Sequence, residues 1–381
     1  MLSEQKWMED TIEKIREKMD WVSEKSRDKI PYTTVNGTHD DKSDGGKYAL
    51  DDGINWWCNG FWGGMMWLMY HETGEEKYRE IARNSEEKLD RCFAEYSGLH
   101  HDVGFMWMPT AVADYRLTGN QDSLRRGMHA ANLLAGRFNA NGNFIRAWND
   151  QPDNDTRGWA IIDCMFNISL LYWAGEESGD PRFTRMAMAH ADTAMRYFVR
   201  PDGSVRHIVE FDPETGEMVR DYGGQGYGQG SSWTRGQTWG LYGFAISYRH
   251  TGKQEYLDTA KRIAHYFIAN IPEDGLIPVD FRQPHEPYWY DDTAAAIAAG
   301  GLLEIAAFVK EDERELYHRA AVKLLRALTD QHCCFDETND CILQKCSGAY
   351  HSPEHEFPII YGDYYFMEAM FKLKGGDVFL W

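Results

Sequence analysis

The chain has 381 residues, 43% of them hydrophobic and 14% aromatic, and a formal net charge of −20. That apolar content suffices for a large core and argues against disorder. The acidic balance argues against nucleic acid and anionic membranes as partners, and obliges any anionic ligand to find a local cluster of cations. The opening stretch MLSEQKWMEDTIEKIREKMD has no apolar signal core, and no apolar run reaches spanning length, so a cytoplasmic location is expected. Seven cysteines fit no disulfide framework, and Cys333, Cys334, Cys341 and Cys346 match no zinc spacing; they read as reduced structural thiols.

The first predicted element, KWMEDTIEKIREKMDWV, carries apolar residues three and four apart and reads as an amphipathic helix. Residues 31–55, rich in Gly and Asp, read as a long loop. From there one kind of segment occurs six times. Its starts are Trp56-Trp57-Cys58-Asn59, Asp102-Val103-Gly104-Phe105, Ile162-Asp163-Cys164-Met165, Trp233-Thr234-Arg235-Gly236, Tyr290-Asp291-Asp292-Thr293 and Tyr361-Gly362-Asp363-Tyr364. Each continues into a run that is small and apolar on nearly every side, the mark of a buried inner helix. The first five pass through the breaks HETGEEKY, RLTGNQDS, EESGDPRF, RHTGKQEY and VKEDEREL into a helix with one charged face. Gly in four of these breaks suits a helix C-terminus, and the acidic residues after it suit the next N-terminus. Between the third and fourth units, residues 203–230 read as the hairpin SVRHIVEF–DPETG–EMVRDY followed by the glycine run GGQGYGQG. The sixth inner helix, YFMEAMFKL, lacks an outer partner after it, and the opening helix lacks an inner partner before it. Joined, they complete a ring. The pattern predicts an all-α (α/α)6 toroid, six inner and six outer helices, in one domain over residues 1–381.

Inner helices of such a ring run the same way, so their starts gather at one mouth. That places Trp56, Asn59, Asp102, Asp163, Arg235, Trp239, Asp291, Asp292 and Asp363 around one cavity, where helix N-termini favour an anion. Asp291, Asp292 and Asp363 sit where N-caps belong and read first as caps; Asp102, in HHDVGF, can be one too. Asp163 interrupts Ala160-Ile161-Ile162 and Cys164-Met165-Phe166, where a carboxylate is costly unless paired or protonated. Desolvation and a second carboxylate nearby predict a raised pKa for Asp163, whereas Asp102, beside two histidines, is expected to stay ionised. Two carboxylates across an aromatic cavity point to acid–base work on a sugar.

HHDVGFMWMPTAVADYRLTG and GWAIIDCMFNISLLYWA resemble the signature segments of the unsaturated glucuronyl hydrolases, glycoside hydrolase family 88. The similarity continues through WWCNGFWGGMMWLMY, WTRGQTWGLYGFA, YDDTAAAIAAGGLLE and IIYGDYYFMEAM, and covers nearly the whole chain from about residue 50. The resemblance implies an (α/α)6 toroid that releases a 4,5-unsaturated uronic acid from the non-reducing end of lyase-generated oligosaccharides, in glycosaminoglycan and polysaccharide catabolism. The reaction it implies is hydration of a vinyl ether. Asp163 matches the acid/base that protonates C4, and Asp102 the second aspartate that holds the ring. Further sugar contacts match Trp56, Asn59, His101, Trp148, His207, Gln225, Arg235 and Trp239, with Trp148 and Trp239 as stacking surfaces and Tyr350 as one more contact. For each the plainer reading is a core aromatic or a satisfied polar group. No metal or organic cofactor is implied, and the expected partner is an unsaturated oligosaccharide; the oligomeric state stays open. The Ser-x-x-Ser-x-Lys run of relatives that act on sulfated fragments is replaced here by residues 347–356, SGAYHSPEHE.

Three alternatives stand beside this. An unsaturated rhamnogalacturonyl hydrolase acting on pectin fragments would share the toroid and a similar hydration. A lanthionine-synthase-like toroid would need Cys/His zinc ligands at the mouth, which Cys58 and Cys164 do not supply. A non-catalytic sugar-binding toroid would keep the tryptophans but has no need of Asp163 in an apolar run.

Overall fold

The structure is a computed structural model and describes residues 2–43, 53–94, 96–150, 154–376 and 380–381. Part of the long loop expected over 31–55, residues 44–52, therefore lies outside the described residues.

The ring is an (α/α)6 toroid. Its inner layer is Phe61–Thr73, the broken helix from Val103 to Thr118, the broken helix from Cys164 to Ser178, Thr234–Thr251, Asp292–Phe308 and Ile360–Leu373. The outer layer is Leu2–Lys25, Glu76–Lys88, Gln121–Ala135, Pro181–Tyr197, Gln254–Ala269 and Glu311–Gln331. Inner helices are buried almost throughout, with Phe61 to Met69 and Thr234 to Ser247 inaccessible at every position. Outer helices bury one stripe and leave the charged face wet.

The four break glycines end their helices in the left-handed conformation the sequence requires, at φ +73, +75, +66 and +66 for Gly74, Gly119, Gly179 and Gly252. The fifth break has no glycine, and there the chain leaves the helix through an extended Val309. Outer helices start on side-chain caps where the sequence offers them: Asn120 accepts from the Asp122 N–H and Asp180 from the Arg182 N–H, ahead of Pro181. Two inner helices are irregular. Met108–Val112, with Pro109 and its missing N–H, opens into one wide π turn. The third inner helix breaks after Asn167 and resumes at Ser169.

The opening helix packs against Ile360–Leu373 and so closes the ring. Trp7 Nε1 donates to Thr329 Oγ1 at 3.0 Å. Lys18 is fully buried, and its ammonium donates to the carbonyls of Cys334 (2.9 Å), Asp336 (3.0 Å) and Asn339. The axis is filled by stacked and edge-on rings of Phe61, Phe105, Phe166, Trp239, Tyr365 and Trp381, with Trp381 stacked on Tyr365 at 5.8 Å.

The hairpin insert is shorter than the sequence pattern predicts, Ile208–Phe211 and Met218–Tyr222, and it acquires a third strand, Trp159–Ile161, that the pattern did not show. All three run antiparallel, with Ile161 opposite Ile208 and Val209 opposite Asp221. No helix among the described residues is long and apolar enough to cross a membrane.

Lys18→Met keeps the length of the side chain but removes the donor that three backbone carbonyls of 334–339 share. It should lower the stability measured by urea unfolding by roughly 2–4 kcal/mol. An unchanged midpoint would show that the 334–339 turn does not tie the ring shut.

Candidate active site

Strand Trp159–Ile161 delivers Asp163 to the mouth. Its register continues one step past the sheet, where the Ile162 N–H donates to the His207 carbonyl at 3.1 Å. That bond sets His207 beside Asp163, Nε2 to Oδ1 at 3.9 Å. His207 Nδ1 accepts from the Gln225 N–H at 3.0 Å. A neutral imidazole with Nδ1 accepting carries its proton on Nε2, on the side of Asp163. Burial lowers the His207 pKa to about 3, with the Arg235 charge adding to the effect, so the ring is neutral. The Gln225 approach requires the turn at Gly224, φ +56, where a Cβ would lie 1.9 Å from His207 Nδ1.

Asp163 occupies the N-cap position of the third inner helix without using its carboxylate as a cap. Its Oδ1 has no hydrogen-bond partner, and 19% of the side chain remains exposed to the mouth. Desolvation, reinforced by the charge of Asp102 and opposed by Arg235, pushes its carboxyl up to about 8. Asp102 is handled differently. Burial alone would raise it too, but His101, His100 and Asn167 together outweigh burial and hold it below the ordinary carboxylate value. Asn167 Nδ2 donates to Asp102 Oδ1 at 3.0 Å, and His100 Nδ1 and His101 Nε2 lie 3.1 and 3.4 Å from the same carboxylate. The mouth thus holds one protonated and one ionised aspartate at neutral pH, the division that acid–base chemistry needs.

Asn167 is the residue the sequence reading missed. Its Oδ1 accepts from the Phe105 N–H at 2.9 Å, so one amide joins Asp102, the start of the second inner helix and the third inner helix. Gly104 permits this closeness, since a Cβ there would lie 2.4 Å from Asn167 Cα. A signal was present: in Asp163-Cys164-Met165-Phe166-Asn167 the amide falls four residues after the acid, on the same helix face.

Arg235 is buried and largely committed. Nη1 pairs with Asp291 Oδ2 at 2.6 Å and donates to Ser347 O at 2.7 Å, while Nη2 donates to Gly348 O. Gln225 Nε2 reaches the same Gly348 carbonyl at 2.9 Å, and the Tyr350 N–H donates to Gln225 O at 2.8 Å. Arg235 and Gln225 thus hold residues 347–350 as a wall of the mouth. Tyr350 stands in that wall with its hydroxyl on Pro287 O at 3.3 Å. Asp291 caps its helix through Thr293 while pairing with Arg235. Asp292 and Asp363 accept backbone N–H groups of 342–345, so their role is structural.

Two expectations are corrected. Trp239 presents no stacking surface: it is 0% exposed and wedged among Phe105, Phe166 and Tyr365 at 5.1, 5.0 and 5.6 Å. Asn59 is likewise buried, and both amide hydrogens go to the carbonyls of Gly53 and Ile54 at 2.9 and 2.8 Å. Trp239 packs inward because its helix turns that face to the axis, and Asn59, in the turn before Phe61, because the preceding Gly53–Asn55 turn supplies its acceptors. Trp56 lies at the rim, half-buried, edge-on to Tyr32 at 5.6 Å. His101 is buried behind Asp102. Trp148 is half-buried beside Trp159 at 5.8 Å, and Trp159 meets Tyr222 at 4.7 Å, which makes an aromatic shelf on the three-stranded sheet.

The family match below and the fold make this a glycoside hydrolase built on an (α/α)6 toroid. Residues 22–375 match the model of Glycosyl Hydrolase Family 88, and the chain belongs to that family. It is 41% identical over 354 residues to the unsaturated glucuronyl hydrolase of Bacillus sp. strain GL1, covering 89% of this chain and 92% of that one. The crystal structure of the Bacillus sp. GL1 enzyme, described as responsible for the degradation of glycosaminoglycan, superposes with a TM-score of 0.86 at 36% identity over 96% of each chain. A mutant of the Streptococcus agalactiae unsaturated glucuronyl hydrolase complexed with dGlcA-GalNAc6S superposes with a TM-score of 0.81 at 28% identity, over 98% of this chain and 93% of that one.

Two substitutions separate packing from chemistry. Trp239→Ala should cost about 3–5 kcal/mol of stability, read by thermal or urea unfolding. A stable variant with only weakened ligand binding would restore the stacking role. Asn167→Ala removes the donor to Asp102. The acid limb of the pH–rate profile should then move to higher pH, with turnover down by about tenfold, roughly 1.4 kcal/mol. An unmoved acid limb would show that Asn167 does not set the charge of Asp102.

Proposed function

We propose that this hydrolase removes a 4,5-unsaturated uronic acid from the non-reducing end of short, lyase-generated glycosaminoglycan oligosaccharides, in the cytoplasm, by hydrating the C4=C5 bond. The observation that carries this is the protonated Asp163 carboxyl facing an ionised Asp102 in one aromatic mouth. The substrate class is supported by the names and bound sugar of the Bacillus and Streptococcus relatives. The compartment is supported by the seven cysteines, which form no disulfide among the described residues.

Asp163 gives its proton to C4, and water adds at C5. The proton of that water returns to the Asp163 carboxylate, so the residue serves as acid and then base. The hemiketal formed at C5 opens by breaking the C5–O5 bond, and the hemiacetal exposed at C1 collapses to release the remaining sugar. Asp102 hydrogen-bonds the ring hydroxyls and keeps Asp163 protonated by its charge. His207, neutral and with its Nε2–H toward Asp163, orients the acid. Arg235 supplies the positive field that draws in a uronate, and Gln225 and Tyr350 complete the wall it meets. Trp148, with Trp159 and Tyr222, offers a face for the adjoining sugar, and Trp56 closes the opposite rim.

Incubation with lyase-generated chondroitin or hyaluronan disaccharides should abolish the ultraviolet absorbance of the conjugated bond, and heavy-oxygen water should label C5. Label at the anomeric carbon of the released sugar would return the enzyme to ordinary glycoside hydrolysis. Turnover confined to unsaturated galacturonyl-rhamnose would move the substrate to pectin.

Asp163 must be protonated to act, so kcat/KM should fall as pH rises through about 8. Asp102 must be ionised, and its pKa is depressed, so activity should survive acidification until pH falls below the ordinary carboxylate range. Asp163→Asn should lower turnover by about two to four powers of ten with substrate still bound. Near-normal turnover in that variant would remove Asp163 from the reaction.

A further inference from the structure

His100, His101 and Asp102 share a geometry that acid–base chemistry does not require. One ligand atom from each lies within 4.8 Å of the other two. His100 Nδ1 stands 3.1 Å from Asp102 Oδ2, and His101 Nε2 stands 3.4 Å from Asp102 Oδ1. Ligand atoms about 2.0–2.1 Å from one tetrahedral ion are separated by roughly 3.3 Å, so both nitrogen–oxygen edges already have coordination length. His101 is buried and its other nitrogen, Nδ1, has no hydrogen-bond partner, so the ring proton can sit there and leave the Nε2 lone pair for an ion. A buried imidazole nitrogen left without a partner is costly to maintain. Asn167 uses one lone pair of Asp102 Oδ1 and leaves the rest of the carboxylate available. The His100 side chain is 17% exposed, the wetter of the two imidazoles.

Two imidazoles and one carboxylate select ions of the zinc, cobalt and copper group over Mg2+ or Ca2+, which prefer all-oxygen shells. We propose that His100, His101 and Asp102 form a binding site for a divalent cation of the Zn2+ class, and that its occupation switches the enzyme off. The bound ion takes the lone pairs and the charge of Asp102 and stands where the sugar ring meets that carboxylate. Three protein ligands leave the fourth position to water. The inhibitory half rests on the function proposed above; the binding half does not.

The test is a titration of the full chain at neutral pH with Co2+ alone, followed by visible absorption. The d–d bands of four-coordinate cobalt should saturate at one equivalent, be displaced by Zn2+, and be lost in both His100→Ala and the milder His100→Gln, with circular dichroism showing both variants folded. No bands in the parent chain, or bands that persist in both folded variants, overturn the site. Zn2+ should lower turnover on an unsaturated disaccharide by about a hundredfold in the parent chain, and far less in the variants, each against its own chelator-treated rate. Undiminished turnover in Zn2+ while Co2+ binds at one equivalent overturns the inhibitory role. A chelator-treated parent chain that is inactive on every unsaturated disaccharide, yet binds Co2+ as described, supports the site and counts against the proposed reaction.

Discussion

Two carboxylates buried within reach of each other's charge cannot both stay ionised, and the architecture of the mouth follows from how that conflict is resolved. Asp102 receives an amide donor and two imidazoles, so the negative charge settles there. Asp163 receives none for its Oδ1, and its proton stays on. The unequal supply of partners, more than burial itself, separates an acid from a base. Asp102 is buried and Asp163 nearly so, and only Asp163 is raised.

The surrounding elements keep that inequality in place. Asn167 can serve Asp102 only because the second and third inner helices meet at Gly104, where there is no side chain to hold them apart. His207 reaches Asp163 only because the sheet register carries Ile162 onto its carbonyl. Its neutral tautomer is fixed from behind by the Gln225 N–H in the glycine-rich turn. Arg235 is anchored by Asp291 and by two carbonyls of the 347–350 wall, which fixes a cation near Asp163 without placing it in contact. A net charge of −20 is thereby compatible with an anionic substrate, because the local field is set by a few buried groups.

Much of the ring was legible in the sequence because helix periodicity and helix termination are local. Gly74, Gly119, Gly179 and Gly252 mark ends that need a left-handed residue, and the all-apolar runs between breaks can only be inner helices. The unpaired first and last helices required each other, as their packing shows. What was not legible depends on closure. Residues 159–161 form a strand whose partner lies nearly fifty positions on, and an apolar Trp-Ala-Ile next to a helix start gives no hint of it. Trp148 and Trp239 are equivalent as letters, yet one meets the shelf and the other the axis, a difference decided by which way each backbone turns. Asn59 and Arg235 look like ligand contacts until their partners at 53–54, 291 and 347–348 are in place. Asp163 stood out as unusual because an acid inside Ala-Ile-Ile and Cys-Met-Phe is anomalous without any knowledge of the fold.

At neutral pH the division of charge puts the proton on Asp163 and the negative charge on Asp102. Carbon-13 NMR of protein labelled at aspartate carboxyls, titrated from acid to alkaline pH and assigned with Asp163→Asn and Asp102→Asn, reads both groups directly. One carboxyl should titrate near pH 8 and vanish with Asp163, while the Asp102 signal stays ionised down to below the ordinary carboxylate range. Two aspartates both ionised by pH 5, or the high titration vanishing with Asp102 instead, would contradict the account.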